Sequence, residues 1–270
     1  GLSDYLAGKS GQEKDEYLTT FVIQIITPVL LLPLIFYYKE PIALGASFLI
    51  VIIITLFFAI AYISFIKALS IGPFGVVAPL ANSYALITLV IGIVFLSFQV
   101  SVAQLFSLLA IIVGVVMLSM EKGFDYKKLR GSSVYLAIIT MFFWGIGFVL
   151  VDLVIDVYPW YQLLFLIGIF TSIFTFLYYF IIYKKFPKIE SIKYKSIPYA
   201  WKAGLFVSIG SIGFYVGAEN GGSVIIPAVI ASASPLVTSF MAHIKDGEKL
   251  SFYKRLGGVV IVLGLMLLNI

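Results

Sequence analysis

The sequence predicts an all-α integral membrane protein of ten transmembrane helices, the first truncated at its N-terminus, in two inverted five-helix repeats. Three observations carry that expectation. The 270 residues are 61% hydrophobic and only 11% charged, with a mean hydropathy of +1.10. A soluble domain of this size cannot hide so much apolar surface, whereas a bilayer can. The hydrophobic residues come in runs long enough to cross a membrane, separated by short polar breaks. Finally, Phe65 to Met120 can be laid on Tyr215 to Ile270 without a gap, at a constant offset of 150 residues. Ten of the 56 pairs are identical, and most fall on small or turn residues, where geometry restricts the choice more than apolarity does. Similar composition is the plainer account of such a match. A duplicated membrane protein is the sharper one, and internal duplication in membranes points to transport.

The elements follow in order. The opening, Gly1 to Gly8, is too short to cross. It is read as the end of a first helix because Gly1-Leu2-Ser3-Asp4-Tyr5-Leu6-Ala7 resembles Gly145-Ile146-Gly147-Phe148-Val149-Leu150-Val151, which lies past the middle of the sixth helix. On that reading roughly a dozen residues of a span are missing ahead of Gly1. Nine helices by design is the alternative. Complete spans are expected at 18–38, 43–67, 73–97 and 102–120, closing a first repeat over 1–120. The charged segment 121–131 (EKGFDYKKLRG) is a linker, too short to be a domain. Spans at 132–156, 159–183, 198–219, 223–243 and 252–270 then make the second repeat, 132–270. An odd number of helices per repeat sends the second into the membrane from the opposite side.

Charge sets the orientation. Of the 18 lysines and arginines, only Lys39 falls on one side; the other 17, from Lys9 and Lys14 to Lys254 and Arg255, fall on the other. The positive-inside rule places the lysine-rich loops in the cytoplasm and both termini outside. The net charge of +5 fits basic loops beside anionic lipid headgroups rather than nucleic acid. Without cysteine there is no thiol catalysis or disulfide, and with His243 the lone histidine a multi-histidine metal site is not expected. No Walker loop is present. Neither a catalytic residue nor a cofactor is expected. The expected partners are a small-molecule substrate and the lipid bilayer; the sequence leaves open a homodimer.

An ionisable group inside a bilayer costs several kcal/mol, so each needs a reason. Asp4 would lie well inside the first helix, where a carboxylate can bind and release a proton during transport; the plain alternative is a solvated terminal residue. Asp152 is a candidate for a cavity mouth and Glu219 for an outward gate, against the plainer reading of polar helix ends. Lys67 is expected to snorkel to the headgroups, with pairing to Asp4 as the alternative. Asn82, Ser83 and Tyr84 in the fourth helix correspond, at the 150-residue offset, to Ser232, Ala233 and Ser234 in the ninth. Pro79, Pro227 and Pro235 remove backbone donors nearby and expose carbonyls. A polar patch at the repeat interface suits a substrate site, so Asn82, Ser83, Tyr84, Ser232 and Ser234 are candidates, although small polar residues also simply let helices pack. Tyr62, Trp144 and Tyr215 are the aromatic candidates, with Phe148 and Phe214 beside them; most other aromatics should face lipid. Aromatics over a cavity suit amphipathic or cationic substrates. Gly210, Gly213, Gly217 and Gly221, like Gly257, Gly258 and Gly264, are spaced to let a neighbouring helix approach.

The run Ala68-Leu69-Ser70-Ile71-Gly72-Pro73-Phe74-Gly75-Val76-Val77-Ala78-Pro79-Leu80 resembles the end of helix three and start of helix four in EamA-type transporters of the drug/metabolite transporter superfamily. Ala233-Ser234-Pro235-Leu236-Val237-Thr238, followed by Gly247-Glu248-Lys249-Leu250-Ser251 and by Gly257, Gly258 and Gly264, resembles the same family more closely. The first repeat departs from the pattern at Ala85, where proline would stand, and at Phe98, where glutamate would. The resemblance implies ten helices around a central cavity, moving small metabolites, amino acids or drugs, usually outward. The expectation is a secondary transporter working by alternating access and driven by the substrate gradient or by proton exchange. An intramembrane enzyme acting on lipid or peptide, or a passive channel, is the rival.

Overall fold

A computed structural model describes residues 1–13, 16–118, 131–184 and 196–267. Among them the chain forms twelve α-helices and no strand: α1 Leu2–Glu13, α2 Glu16–Tyr38, α3 Ala46–Ile71, α4 Phe74–Asn82, α5 Tyr84–Phe95, α6 Val102–Leu118, α7 Ser132–Asp152, α8 Trp160–Tyr183, α9 Ser196–Gly221, α10 Ile225–Ser232, α11 Pro235–Asp246 and α12 Phe252–Leu267. α4 with α5, and α10 with α11, are halves of two broken rods, so twelve helices make ten rods. Six rods, Glu16–Tyr38, Ala46–Ile71, Phe74–Phe95, Ser132–Asp152, Trp160–Tyr183 and Ile225–Asp246, are long and apolar enough to cross a membrane; Val102–Leu118 is a shorter apolar helix. Large apolar side chains such as Leu30, Leu49, Leu56, Val259 and Leu263 stand exposed on the outside, while Thr20, Gln24, Asn82, Thr88 and Thr140 are buried. That distribution is the one a lipid solvent favours. This is a multi-pass membrane protein.

Several boundaries differ from those expected. α1 runs past Gly8 to Glu13. The span expected at 43–67 is α3, shifted to 46–71, and that at 132–156 ends as a helix at Asp152. The two spans expected at 73–97 and 223–243 are each broken. In the first, Pro79 lacks a backbone donor, and Asn82 Nδ2 and Ser83 Oγ donate to the carbonyls of Ala78 and Pro79, 2.9 and 3.0 Å away. In the second, Pro235 starts a new helix where no donor is needed. The linker 121–130, residues 119–120 and residues 268–270 lie outside the described residues, as does Lys14.

The duplication is visible in element bounds. α3 and α9 begin and end 150 residues apart. The starts of α2 and α8, Glu16 and Trp160, differ by 144, the offset at which Gly1 resembles Gly145. Equivalent helices run antiparallel. Tyr17 near the start of α2 meets Tyr183 at the end of α8, with ring centroids 5.9 Å apart. Tyr38 at the end of α2 stacks on Tyr161 at the start of α8, at 4.9 Å. α6 and α12 pack the same way. A Cβ on Gly114 would come within 2.6 Å of Ile261, and one on Gly264 within 2.8 Å of Ile111. Both pairs, Ile111/Ile261 and Gly114/Gly264, are identities of the 150-residue match, so each half supplies the glycine notch for the other half's isoleucine. The halves are therefore inverted with respect to one another.

Candidate functional site

A cavity of about 550 Å³ lies between the halves, lined by α1, α2, α3, α4, α5, α7, α8, α9 and α10 and by Ser234 at the second break. One end is polar. Asp4, with its side chain 16% exposed, accepts a hydrogen bond from Ser234 Oγ at 3.0 Å and from the neighbouring Ser3 Oγ at 3.2 Å. Ser234 Oγ also lies 3.2 Å from Asn82 Oδ1. Its single proton can serve Asp4 or Asn82, one at a time. The Gly1 nitrogen is 3.4 Å from Asp4 Oδ2.

The other wall is aromatic. Trp144 makes edge contacts with Tyr62 and Tyr84 at centroid distances of 5.3 and 5.7 Å. Tyr84 lies 5.0 Å from Phe148, Phe148 lies 5.0 Å from Phe214, and Phe214 lies 5.3 Å from Tyr215. These separations suit offset or edge-on aromatic pairs. Tyr84 OH donates across the halves to the Ala228 carbonyl at 3.2 Å. Tyr215 OH is buried with no hydrogen-bond partner.

Reciprocal contacts hold this site in place. Thr88 Oγ1 donates to the Gly145 carbonyl at 3.1 Å, and Thr238 Oγ1 donates to the Gly1 carbonyl at 2.9 Å. The glycines are needed for that approach. A Cβ on Gly145 would come within 2.7 Å of Ile87 Cβ, and one on Gly1 within 2.6 Å of Val237 Cβ, the residue equivalent to Ile87. The same register places Phe148 in the second half where Asp4 stands in the first.

Of the sequence candidates, Asp4, Tyr62, Asn82, Tyr84, Trp144, Tyr215 and Ser234 line the cavity. Ser83, Ser232, Asp152 and Glu219 are not among its lining residues. Ser83 and Ser232 donate to carbonyls in their own helices. Asp152 Oδ1 accepts from Ser223 Oγ and Val224 N at 2.8 and 2.7 Å, satisfying backbone at the start of α10. Glu219 Oε1 accepts from Trp160 N, at the start of α8, at 3.0 Å. In the nearby connection, burial pushes the Tyr158 hydroxyl above its ordinary range; it donates to the Ala43 carbonyl at 2.6 Å. Lys67 reaches Tyr17 OH at 2.9 Å and Glu16 at 3.3 Å, which settles its role away from Asp4.

The glycines of α9 behave differently from the expectation. No heavy atom lies within 4 Å of a Cβ built on Gly210, Gly213 or Gly221, and only Pro227 approaches Gly217, at 3.8 Å. Gly210, Gly213 and Gly217 face the cavity instead of a packed neighbour. Their spacing is that of a packing stripe, but the void, not a helix, lies opposite.

Gln24, Thr20 and Thr27 of α2 also line the cavity and were not singled out from the sequence. Gln24 Nε2 is buried without a partner. The available signal was a lone amide within an apolar run. Among the described residues no group of three or more histidine, cysteine or acidic side chains could hold a metal ion.

Comparison with known proteins agrees with this architecture. A solved structure titled "Crystal structure of protein" is 16% identical, with a TM-score of 0.70 over 99% of this chain and 93% of that one, which establishes the likeness of fold. No curated protein matches. The model of the EamA-like transporter family, a family of transporters rather than enzymes, matches residues 4–120 and again residues 131–270. With both halves matched and nearly the whole length covered, the chain belongs to the EamA-like transporter family.

Proposed function

We propose that this protein is a secondary transporter of the cell membrane, carrying small organic molecules across ten spans by alternating access. The observation that carries the reading is a cavity built by both inverted halves and closed at one end by contacts between them. Lys9 of α1 pairs with Asp246 of α11 at 2.8 Å, and Tyr5 OH donates to the same carboxylate at 3.2 Å. Tyr5 also packs on Phe74, with centroids 5.6 Å apart. Along α9, by contrast, Gly210 and Gly213 leave the cavity wall without close neighbours. Inverted repeats can exchange such closed and open ends by rocking one half against the other.

On the charge distribution the Lys9–Asp246 end is cytoplasmic, which makes this contact the inner gate of the proposed cycle. Outward transport is the direction proposed, driven by the substrate gradient or by proton exchange at Asp4. Asn82, Tyr84, Ser234, Tyr62, Trp144 and Tyr215 form the substrate surface. Counterflow in proteoliposomes, with and without a pH gradient, tests the mechanism. Saturable counterflow that is stimulated by substrate on the far side is expected. Flux that rises linearly with concentration, without counterflow, would mean a channel.

A further inference from the structure

The cavity is symmetric in backbone and lopsided in chemistry. The two-fold relation pairs Asp4 with Phe148 and Ser234 with Tyr84. One pair of equivalent positions, Asp4 of the first half and Ser234 of the second, joins a carboxylate to a hydroxyl at 3.0 Å; its two-fold mate, Phe148 of the second half and Tyr84 of the first, puts two aromatic rings 5.0 Å apart. Among the described lining residues Asp4 has the one charged side chain, and no lysine, arginine or histidine faces the space.

That inventory discriminates among solutes. An anion placed here meets a like charge at Asp4 and no cationic side chain, with only neutral donors such as the Tyr215 hydroxyl and the Gln24 amide to offset it. A zwitterion leaves its carboxylate without a cationic partner, at a cost of several kcal/mol in a desolvated site. A neutral solute brings no counter-charge to Asp4, which then keeps only its hydroxyl donors and the Gly1 nitrogen 3.4 Å away. An ammonium carried on an aromatic body satisfies both ends. Its nitrogen donates to Asp4, Ser234 Oγ and Asn82 Oδ1, and its body lies among Tyr84, Trp144 and Phe148. A volume of about 550 Å³ is in the range of sites for such molecules. We infer that the cavity binds amphipathic, monovalent organic cations, with the charge at Asp4 and the aromatic body at the Phe148 side. This rests on the transporter reading only for the cation's role as cargo.

The test is binding by the full chain in detergent micelles, read by Trp144 fluorescence after Trp160→Phe and Trp201→Phe. Three probes of one shape serve: 2-phenylethylammonium, 2-phenylethanol and phenylacetate. The ammonium is expected to bind about tenfold or more tightly than either of the others. Asp4→Asn abolishes that preference while the melting temperature of the unliganded protein, which reports the fold, stays unchanged; Asp4→Glu retains the preference. Equal affinity for the alcohol or phenylacetate, or a preference surviving in Asp4→Asn, overturns the inference. Ammonium binding without its counterflow would remove the transporter reading and leave the cation site standing. Counterflow of a neutral or acidic solute with no ammonium binding would do the reverse.

Discussion

Asp4 and Phe148 occupy equivalent places, and each is read best by its surroundings. Asp4 was legible in the sequence because an acid within a membrane helix demands an explanation. Asn82, Tyr84 and Ser234 were legible as polar residues in apolar runs beside prolines. The same reasoning pointed at Ser83 and Ser232, whose hydroxyls turn back onto their own carbonyls; one position along a helix is enough to leave the cavity. Gln24 escaped notice because one amide in an apolar helix carries no pattern. Tyr215 offers a clean separation of roles. Its hydroxyl is buried, lines the cavity and bonds to nothing, so the fold gains nothing from it. Tyr215→Phe is expected to leave thermal stability unchanged or raise it by about 1 kcal/mol, since an unsatisfied buried group is removed. If the hydroxyl serves substrate, the same change raises KM for counterflow by roughly tenfold for a polar cargo. A lower melting temperature with unchanged KM would assign the hydroxyl to the fold instead.

Between elements, the two halves solve the same turn with different residues. α11 is capped by Gly247, which has a left-handed φ of 71°, and Glu248 N closes the turn on the Ala242 carbonyl at 3.2 Å. The equivalent turn after α5 places Ser97 at φ 54°, with Phe98 N on the Gly92 carbonyl at 3.0 Å. The sequence showed the departure from the family pattern at Phe98 but not its cost, which lies in the preceding residue. A non-glycine residue in this conformation gives up about 1 kcal/mol, while glycine there gives up roughly half as much in added freedom of the unfolded chain. Ser97→Gly is thus expected to stabilise the protein by about 0.5 kcal/mol. Thermal unfolding in detergent, against Ser97→Ala as a control, checks it; a destabilised glycine variant would show that the Ser97 side chain is needed. The breaks within the fourth and ninth rods were half legible in the same way. Pro79 and Pro235 announced lost donors, but the side-chain bonds of Asn82 and Ser83 that finish the first break require coordinates.

For the whole molecule, the sequence carried the duplication and its inversion, because an odd helix count and a numerical offset need no side-chain geometry. What it could not carry was which glycines face a neighbour and which face a void. Gly264 fits against Ile111, whereas Gly213 looks onto open space, and both sit in similar small-residue patterns. Inversion makes one demand that labelling can meet directly. α2 and α8 are each followed by a lysine of left-handed conformation, Lys39 at φ 51° and Lys184 at φ 50°. These helices are equivalent and antiparallel, so the two lysines lie at opposite ends of the bundle. On the orientation proposed from the 17-to-1 charge split, Lys184 is cytoplasmic and Lys39 is outside. The chain has no native cysteine, so Lys39→Cys and Lys184→Cys can each be probed in intact cells without background. A membrane-impermeant maleimide should modify Lys39→Cys from outside and reach Lys184→Cys only after the membrane is opened. Reversed labelling would keep the inversion and place the Lys9–Asp246 contact on the outside. Labelling of both from one side would break the inverted arrangement, and with it the alternating-access mechanism proposed from it.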